Sequence, residues 1–199
     1  MKELSLHILD IAENGIEAGA HIVKIIIKEN YKENLLELII RDDGKGMDSY
    51  LLNKVINMFF TTKNLKKRGL GLSLLKNVSE NCDGKFYINS LPGKGTEVRA
   101  TFKLDHIDLP PLGNMSATII ALILRDSFVD LIYMHKVDKN IFILDTREIK
   151  RQLDNFPINN PKIVEHIGNE IKIGLNTIGA GKYIDTRRLD HGKAYNTRS

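Results

Sequence analysis

The sequence of 199 residues contains a single cysteine, Cys82, and no apolar run long enough to cross a membrane. One cysteine excludes an internal disulfide and a cysteine-based metal cluster within one chain. A membrane helix needs about 20 consecutive apolar residues. The start of the chain, MKELSLHILDIAENG, meets acidic residues at once and lacks a signal-peptide cleavage pattern. We therefore expect a cytoplasmic protein without a membrane partner.

Basic residues are too evenly balanced to indicate nucleic-acid binding. The formal net charge is +4. Most of this excess lies in residues 182–199, where five basic residues stand against two acidic ones. The chain has no basic patch with interleaved aromatic residues of the kind that single-strand binders use. No nucleic-acid partner is expected.

The spacing of apolar residues predicts an α/β sandwich, with helices on one face of a mixed sheet. Predicted helices span residues 3–18, 48–58, 70–81, 115–126, 146–155 and 161–178. Predicted strands span residues 21–29, 35–40, 85–90 and 96–104, and a further hairpin spans 128–146. Residues 59–69 form a polar connection that we expect to be mobile.

A proline-rich stretch at 106–113 predicts a domain boundary. Residues 1–105 form the first predicted domain, and residues 114–180 form a small α+β domain. Residues 181–199 contain few apolar side chains and are predicted to be a disordered tail. The segment 106–180 carries no motif to which a chemical role can be assigned.

Four short motifs follow one another in the first hundred residues. Asp10 and Asn14 lie four residues apart on a predicted helix and so point the same way. DDGKG (42–46) follows a strand, GLGL (69–72) opens a helix, and GKGT (93–96) opens the last strand of the first domain. Each motif alone is a weak signal. Their order and spacing fit an α-β-β-α-lid-α-β-β layout and make the combination specific.

Together the motifs resemble those of the GHKL ATPase superfamily, which includes type II topoisomerase ATPase domains, the large heat-shock chaperones, sensor histidine kinases and the mismatch-repair protein MutL. LDIAENGIEAGA resembles the N box, DDGKGM the first glycine box, and RGLGLSLLKNV the second. FFTTK resembles the segment before the lid, and GKGTEVRATF the last glycine box. The resemblance covers residues 3–104. It implies the Bergerat-type ATP-binding sandwich.

The resemblance also implies that ATP and Mg²⁺ bind here, with Asp10 as the catalytic residue. The amide oxygen of Asn14 is a hard ligand suited to Mg²⁺. The carboxylate of Asp42 can accept from the amino group of adenine, whereas guanine would present a carbonyl to it. The implied ATP-binding residues are Asn14, Glu17, Ala18, Asp42, Gly44, Gly46, Met47, Thr62, Lys63, Arg68, Gly69, Leu70, Gly71, Leu72 and Thr96.

Each class of implied residue has its own physical role. Glycines of the first box let the backbone approach the adenine ring. Gly69 and Gly71 leave N–H groups free at a helix N-terminus, where phosphate binds, and Thr96 adds a hydroxyl near the base. Lys63 and Arg68 either meet the β- or γ-phosphate or are solvated loop charges.

The sequence also departs from the family pattern. Asp10 stands where MutL, topoisomerases and chaperones have a glutamate that activates the attacking water. A general base contributes about 10²–10⁴ in rate, and Asp10, one methylene shorter, is either a slow base or a water-positioning group. Glu17 resembles the acidic residue that topoisomerases and MutL have at this position, whereas FFTTK and GLGL are typical of kinases. Lys67 stands where many kinases have a glycine.

Three functions remain open at this point. The first is a Mg²⁺-dependent kinase acting on a separate protein. The second is a slow ATPase whose nucleotide orders residues 59–69 and switches a partner or a dimer interface. The third is a sensor that binds ATP without turnover. A protein substrate or regulatory partner is expected and, by analogy, a homodimer.

Histidine phosphorylation within the chain is not expected. The N box begins almost at Met1, so the dimerisation segment that carries the phosphoacceptor histidine of histidine kinases is expected to be missing. None of the six histidines replaces it or has metal-ligand spacing with another.

Overall fold

The computed structural model describes residues 3–58, 70–154 and 156–182. In chain order its elements are α1 (Leu4–Glu17), β1 (Ile22–Asn30), β2 (Leu35–Asp42), α2 (Ser49–Met58), α3 (Leu70–Asn81), β3 (Phe86–Leu91), β4 (Gly95–Lys103), α4 (Met115–Arg125), β5 (Asp130–Val137), β6 (Asn140–Asp145), α5 (Thr146–Gln152) and α6 (Pro161–Ile178). These elements agree with the predicted ones to within a few residues. The predicted mobile connection at 59–69 lies outside the described residues.

All six strands join one mixed sheet in the order β3-β4-β2-β1-β5-β6. Neighbouring strands are antiparallel except β1 and β5, which run parallel with Ile22 opposite Asp130 and Glu29 opposite Val137. The mixed sheet of an α/β sandwich is confirmed.

The core lies on one face of this sheet. Along β1 the apolar side chains Val23, Ile25 and Ile27 are buried and alternate with Lys24, which is exposed. Helices α1, α3, α4 and α6 pack onto the buried face. The other face, which we call the open face, carries Ile26 and Lys24 of β1 and the strand residues that pair with them.

The C-terminal strands β5 and β6 continue the sheet begun by residues 1–105. The predicted linker at 106–113 is packed, because Leu109 and Leu112 are buried. The carbonyl oxygens of Pro111 and Leu112 accept from the N–H groups of Leu4 and Ser5, at 3.0 and 2.9 Å. The division of the chain into two domains stays a prediction, and so does the disordered tail, which lies outside the described residues from 183 onward.

A buried polar cluster ties the two halves of the chain together. His135 of β5 lies 2.7 Å from Glu29 Oε1 through Nε2 and 2.7 Å from the Tyr133 hydroxyl through Nδ1. Burial raises the pKa of Tyr133 well above its usual value. A hydroxyl that keeps its proton can donate to Nδ1, and the Nε2–H of His135 can then donate to Glu29. The backbone N–H of Gly181, just beyond α6, donates to the same Glu29 oxygen at 2.9 Å.

Among the described residues no helix is long and apolar enough to span a lipid bilayer.

Candidate functional site

The start of α3 lies directly against α1. A Cβ atom on Gly71 would come within 2.8 Å of Asp10 Cβ and 3.4 Å of Asp10 Oδ2. Glycine is therefore needed for this approach. The first N–H groups of a helix have no partner inside the helix and form its positive end. The half-buried side chain of Asp10 thus lies beside the N-terminus of α3, a position that favours a bound anion.

Two further polar residues extend the same face of α1. Asn14 is exposed and follows Asp10 by one turn. Glu17 is also exposed, and its carboxylate lies 3.6 Å from the Arg125 guanidinium of α4. This ion pair connects the end of α1 to the C-terminal half of the chain.

The side chain of Asn14 fits a Mg²⁺ ion held mainly by phosphate and water. The described residues contain no group of three or more His, Cys, Asp or Glu side chains that could hold a metal. Mg²⁺ dehydrates reluctantly and usually binds one or two protein ligands together with substrate phosphates. A single exposed amide oxygen one helical turn after Asp10 suits that mode of binding.

Asp42 ends β2 at the opposite end of the same stretch of α1. A Cβ on Gly15 would lie 2.8 Å from Asp42 Cβ, so the helix backbone presses against this side chain. Burial raises the pKa of Asp42, and the neighbouring charge of Asp43 acts in the same direction. Hydrogen bonds from the N–H groups of Gly44, at 2.9 Å, and Thr96 partly offset the rise.

The glycine loop at 43–47 is wedged between the end of α1 and the β3–β4 hairpin. Lys45 N–H donates to the Ala18 carbonyl at 3.0 Å. Gly46 has a φ of +64°, and a Cβ there would lie 1.9 Å from the Leu91 carbonyl oxygen. A Cβ on Gly44 would meet both Ala18 and Asp42 at 3.0 Å. Only glycine fits at position 46, which fixes the path of the loop.

Hydroxyl groups complete the site on the hairpin side. The buried Ser90 side chain accepts from Met47 N–H at 2.9 Å and lies 2.9 Å from the Thr96 hydroxyl. A basin of about 240 Å³ adjoins this pair and includes Asp42 and Lys94 among its lining residues. The structure thus brings Asp42, Met47 and Thr96 together.

Some predicted residues cannot be placed. Thr62, Lys63, Arg68 and Gly69 lie outside the described residues. Leu70 begins α3, and Leu72 of the same first turn is half-buried against the core.

Three residues of the site were missed by the sequence reasoning. Gly15 carried a signal, because a glycine inside a helix is about 1 kcal/mol less favourable than alanine and indicates close packing. Asp43 accepts from the N–H groups of His21 and Ile22 at 2.7 and 2.8 Å, which anchors the glycine loop to the start of β1. Ser90 carried no signal in the sequence.

One protein-family model matches the part of the chain that contains this site. The sequence model described as histidine kinase-, DNA gyrase B-, and HSP90-like ATPase matches residues 2–106. This match covers α1 to β4 and thus every described residue of the site.

Similar curated proteins are much longer than this chain. The chain is 39% identical over 85 residues to a putative sensor protein of Shewanella frigidimarina, 32% identical over 102 residues to sporulation kinase A of Bacillus subtilis, and 34% identical over 110 residues to the signal transduction histidine-protein kinase AtoS of Escherichia coli. These matches cover 42%, 51% and 55% of the chain, but only 13%, 16% and 17% of the three relatives.

Proposed function

The chain belongs to the family of histidine kinase-, DNA gyrase B- and HSP90-like ATPases, and we propose that it binds ATP with Mg²⁺ and passes the γ-phosphate to a separate protein or to water. Residues 2–106 form an ATP-binding domain of the histidine kinase type. The observation that carries the proposal is the pair of contacts along α1, where Gly15 meets Asp42 and Asp10 meets Gly71. These two contacts lie five residues apart on α1, about 7.5 Å. One is with the half-buried side chain of Asp42 and the other with the N-terminus of α3, where phosphate would bind.

Adenine recognition is assigned to Asp42. One of its oxygens accepts from Gly44 N–H, and the carboxylate can accept in addition from the exocyclic amino group of adenine. Guanine would bring a carbonyl oxygen towards the carboxylate, and two facing acceptors in a partly dry site are unfavourable. The Thr96 hydroxyl, beside Ser90, lies on the same side and can bind the base as well.

Phosphate binding is assigned to the N-terminus of α3 at Leu70 and Gly71 and, as an expectation from the sequence, to Lys63, Arg68 and Gly69. Asn14 would hold Mg²⁺ through its amide oxygen. When bound, the ion neutralises phosphate charge and orients the γ-phosphate. Asp10, beside Gly71, would orient a water molecule or an acceptor hydroxyl and take its proton.

A kinase acting on a separate protein is supported by the relatives, of which two are named as kinases. The acceptor would be a side chain of a partner protein. The cytoplasmic location and the existence of a protein partner stay predictions.

A slow or non-catalytic ATP switch is the second candidate. The ion pair between Glu17 and Arg125 favours it, because it connects the nucleotide side of α1 to α4. A nucleotide that moves Glu17 would change its pairing with the C-terminal half. Exposed ion pairs contribute only about 0–1 kcal/mol, so such a switch would bias a partner interface without unfolding the chain.

A thermal-melt titration tests nucleotide binding. The full chain is melted with ATP, ADP or GTP, with and without Mg²⁺, as wild type, Asp42→Asn and the control Asp83→Asn. Asp83 lies at the far end of α3 and tolerates asparagine, because its φ is +55°. At one hundred times the dissociation constant a ligand adds about 2.7 kcal/mol of stability.

Adenine-selective stabilisation of wild type and Asp83→Asn, lost in Asp42→Asn, is the expected result. Stabilisation by GTP equal to that by ATP would contradict the assignment of Asp42. With ATP labelled on its γ-phosphate, label on a second protein favours the kinase, and labelled free phosphate favours the ATPase. ATP binding with neither product favours the non-catalytic switch.

A further inference from the structure

At the outer edge of β6, the described residues leave backbone N–H and C=O groups without a partner strand. Among the described strands, β6 pairs only with β5. Within residues 3–58, 70–154 and 156–182, the backbone of β6 has no other hydrogen bond except at Asp145, where its carbonyl begins α5. Edge strands with free N–H and C=O groups recruit further strands unless lysine, proline or a bulge prevents it. The sequence of β6, NIFILD, contains none of these residues.

Exposed aliphatic side chains accompany this edge on the open face. Ile141 and Ile143 are 50% and 52% exposed. The apolar surface continues inward, since Met134 of β5 lies opposite Ile143, and Ile26 of β1 lies opposite Met134. A strand added to β6 would therefore gain both backbone hydrogen bonds and an apolar surface.

The pattern of β6 is complementary to itself. In an antiparallel pair with Phe142 of both copies on the two-fold axis, Ile141 lies opposite Ile143 of the second copy, and the symmetry repeats this pair. The same register sets Lys139 opposite Asp145 of the second copy. That carboxylate already lies 2.5 Å from Arg147, so it would be shared by two cations. No like charges face each other in this register.

We propose that β6 pairs antiparallel with β6 of a second copy, so that one sheet runs through a two-fold symmetric dimer. The occupant of the edge is thus another molecule of this chain. The nucleotide sites lie at the β2 and β3–β4 side of the sheet, away from this edge, and the dimer does not depend on them.

Sedimentation analysis of the full chain over a range of concentrations tests the proposal. The wild type is expected to dimerise. Ile141→Lys and Ile143→Lys each raise the dimer dissociation constant by about tenfold or more, because each loses two cross-strand aliphatic pairs and places lysine, which opposes edge pairing, in the interface. Tyr87→Lys is the matched control, since Tyr87 is 54% exposed on the open face of β3 at the other edge of the sheet.

All three side chains are at least half exposed, so the substitutions are expected to leave the fold intact. Melting curves of the variants check this. A wild-type chain that stays monomeric overturns the proposal, whether residues 183–199 or another protein cover the edge. A dimer that survives both isoleucine substitutions also overturns it.

A cysteine experiment tests the register. Ile141→Cys and Ile143→Cys are purified separately and oxidised alone or as a mixture. Opposite residues in an antiparallel pair lie about 4.5–5.5 Å apart between Cα atoms, within disulfide range. Cys82 is fully buried and does not compete. A disulfide dimer in the mixture alone supports the register, and equal crosslinking of each variant alone contradicts it.

Discussion

Asp42 combines two opposing demands on one side chain. Its burial disfavours the charged form, which is the form that accepts from an adenine amino group. The N–H groups of Gly44 and Thr96 recover only part of the lost hydration. The residue proposed to give specificity is therefore expected to lower the stability of the nucleotide-free protein.

Asp42→Asn is expected to raise the melting temperature of the nucleotide-free protein at neutral pH. The amide removes a partly buried charge but keeps an oxygen that accepts from Gly44 N–H. A carboxyl group whose pKa is raised by folding stabilises the native state most below its unfolded pKa of 3.8. This contribution is lost as the pH rises through the raised native pKa.

The advantage of Asp42→Asn should therefore shrink as the pH falls towards 3.8. Melting curves of wild type, Asp42→Asn and Asp83→Asn across the acid and neutral range measure this dependence. A wild type that is more stable than Asp42→Asn at neutral pH would mean that hydrogen bonds outweigh the burial of the charge.

At the scale of elements, α1 is the helix on which the site depends. Its apolar side packs into the core through Leu4, Ile8 and Ile11, while its polar side carries Asp10 and Asn14. The helix also has a glycine in its last turn, and that glycine allows β2 to come close.

Gly15→Ala is expected to destabilise the protein by about 1–3 kcal/mol, as overpacking of a tight contact does, and to weaken ATP binding. In an ordinary helix the same change stabilises by about 1 kcal/mol. Here the new Cβ would lie 2.8 Å from Asp42 Cβ, an atom close to the backbone that cannot turn away.

Gly168→Ala on α6 is the matched control. Its Cβ would lie 2.7 Å from Ile120 Cδ1, the far end of a flexible side chain. Urea unfolding of both variants should show the smaller loss for Gly168→Ala. An increase in stability for Gly15→Ala would contradict the close packing of α1 on Asp42.

The helices and strands themselves were predictable, because the spacing and type of the apolar residues in each segment indicate which element it forms. The run of β-branched residues from Ile22 to Ile27 indicates a strand, and the glycine boxes mark the turns. The pairing of β1 with β5 was not predictable, because nothing local to either strand specifies a partner about one hundred residues away. Glu29 and His135 illustrate this, since each looks like a surface residue until the other is placed beside it.

The site residues that lie in the glycine motifs were predictable, because four such motifs in this order and spacing rarely arise by chance. Asp42, Gly44 and Thr96 come together as the strand order requires. Asp43 and Ser90 could not be found, because serine and aspartate are common in turns and their roles arise only from packing.

At the scale of the whole molecule, β1 has β2 on one side and β5 on the other. The predicted boundary at 106–113 would separate these neighbours. Cutting there leaves the buried Glu29 without the His135 and Gly181 groups that hydrogen-bond to it. Removing the partners of a buried polar group costs about 1–3 kcal/mol, and more for a charged one.

A fragment of residues 1–105 is therefore expected to melt at a much lower temperature than the full chain, or to show no cooperative transition. The matched fragment 1–182 retains both His135 and Gly181 and should melt like the full chain. Circular dichroism of the three proteins measures this. A fragment 1–105 as stable as the full chain would establish the predicted two-domain division.

The parallel pairing of β1 with β5 also sets an order of events during synthesis. The 107 residues between Asn30 and Val137 take roughly 5–20 s to translate. In the last part of that interval, after β4 ends at Lys103, the nascent chain has every strand of its nucleotide-binding half but not β5, which completes the sheet beside β1. The uncovered edge of β1 is thus where a newly made chain is most open to mispairing.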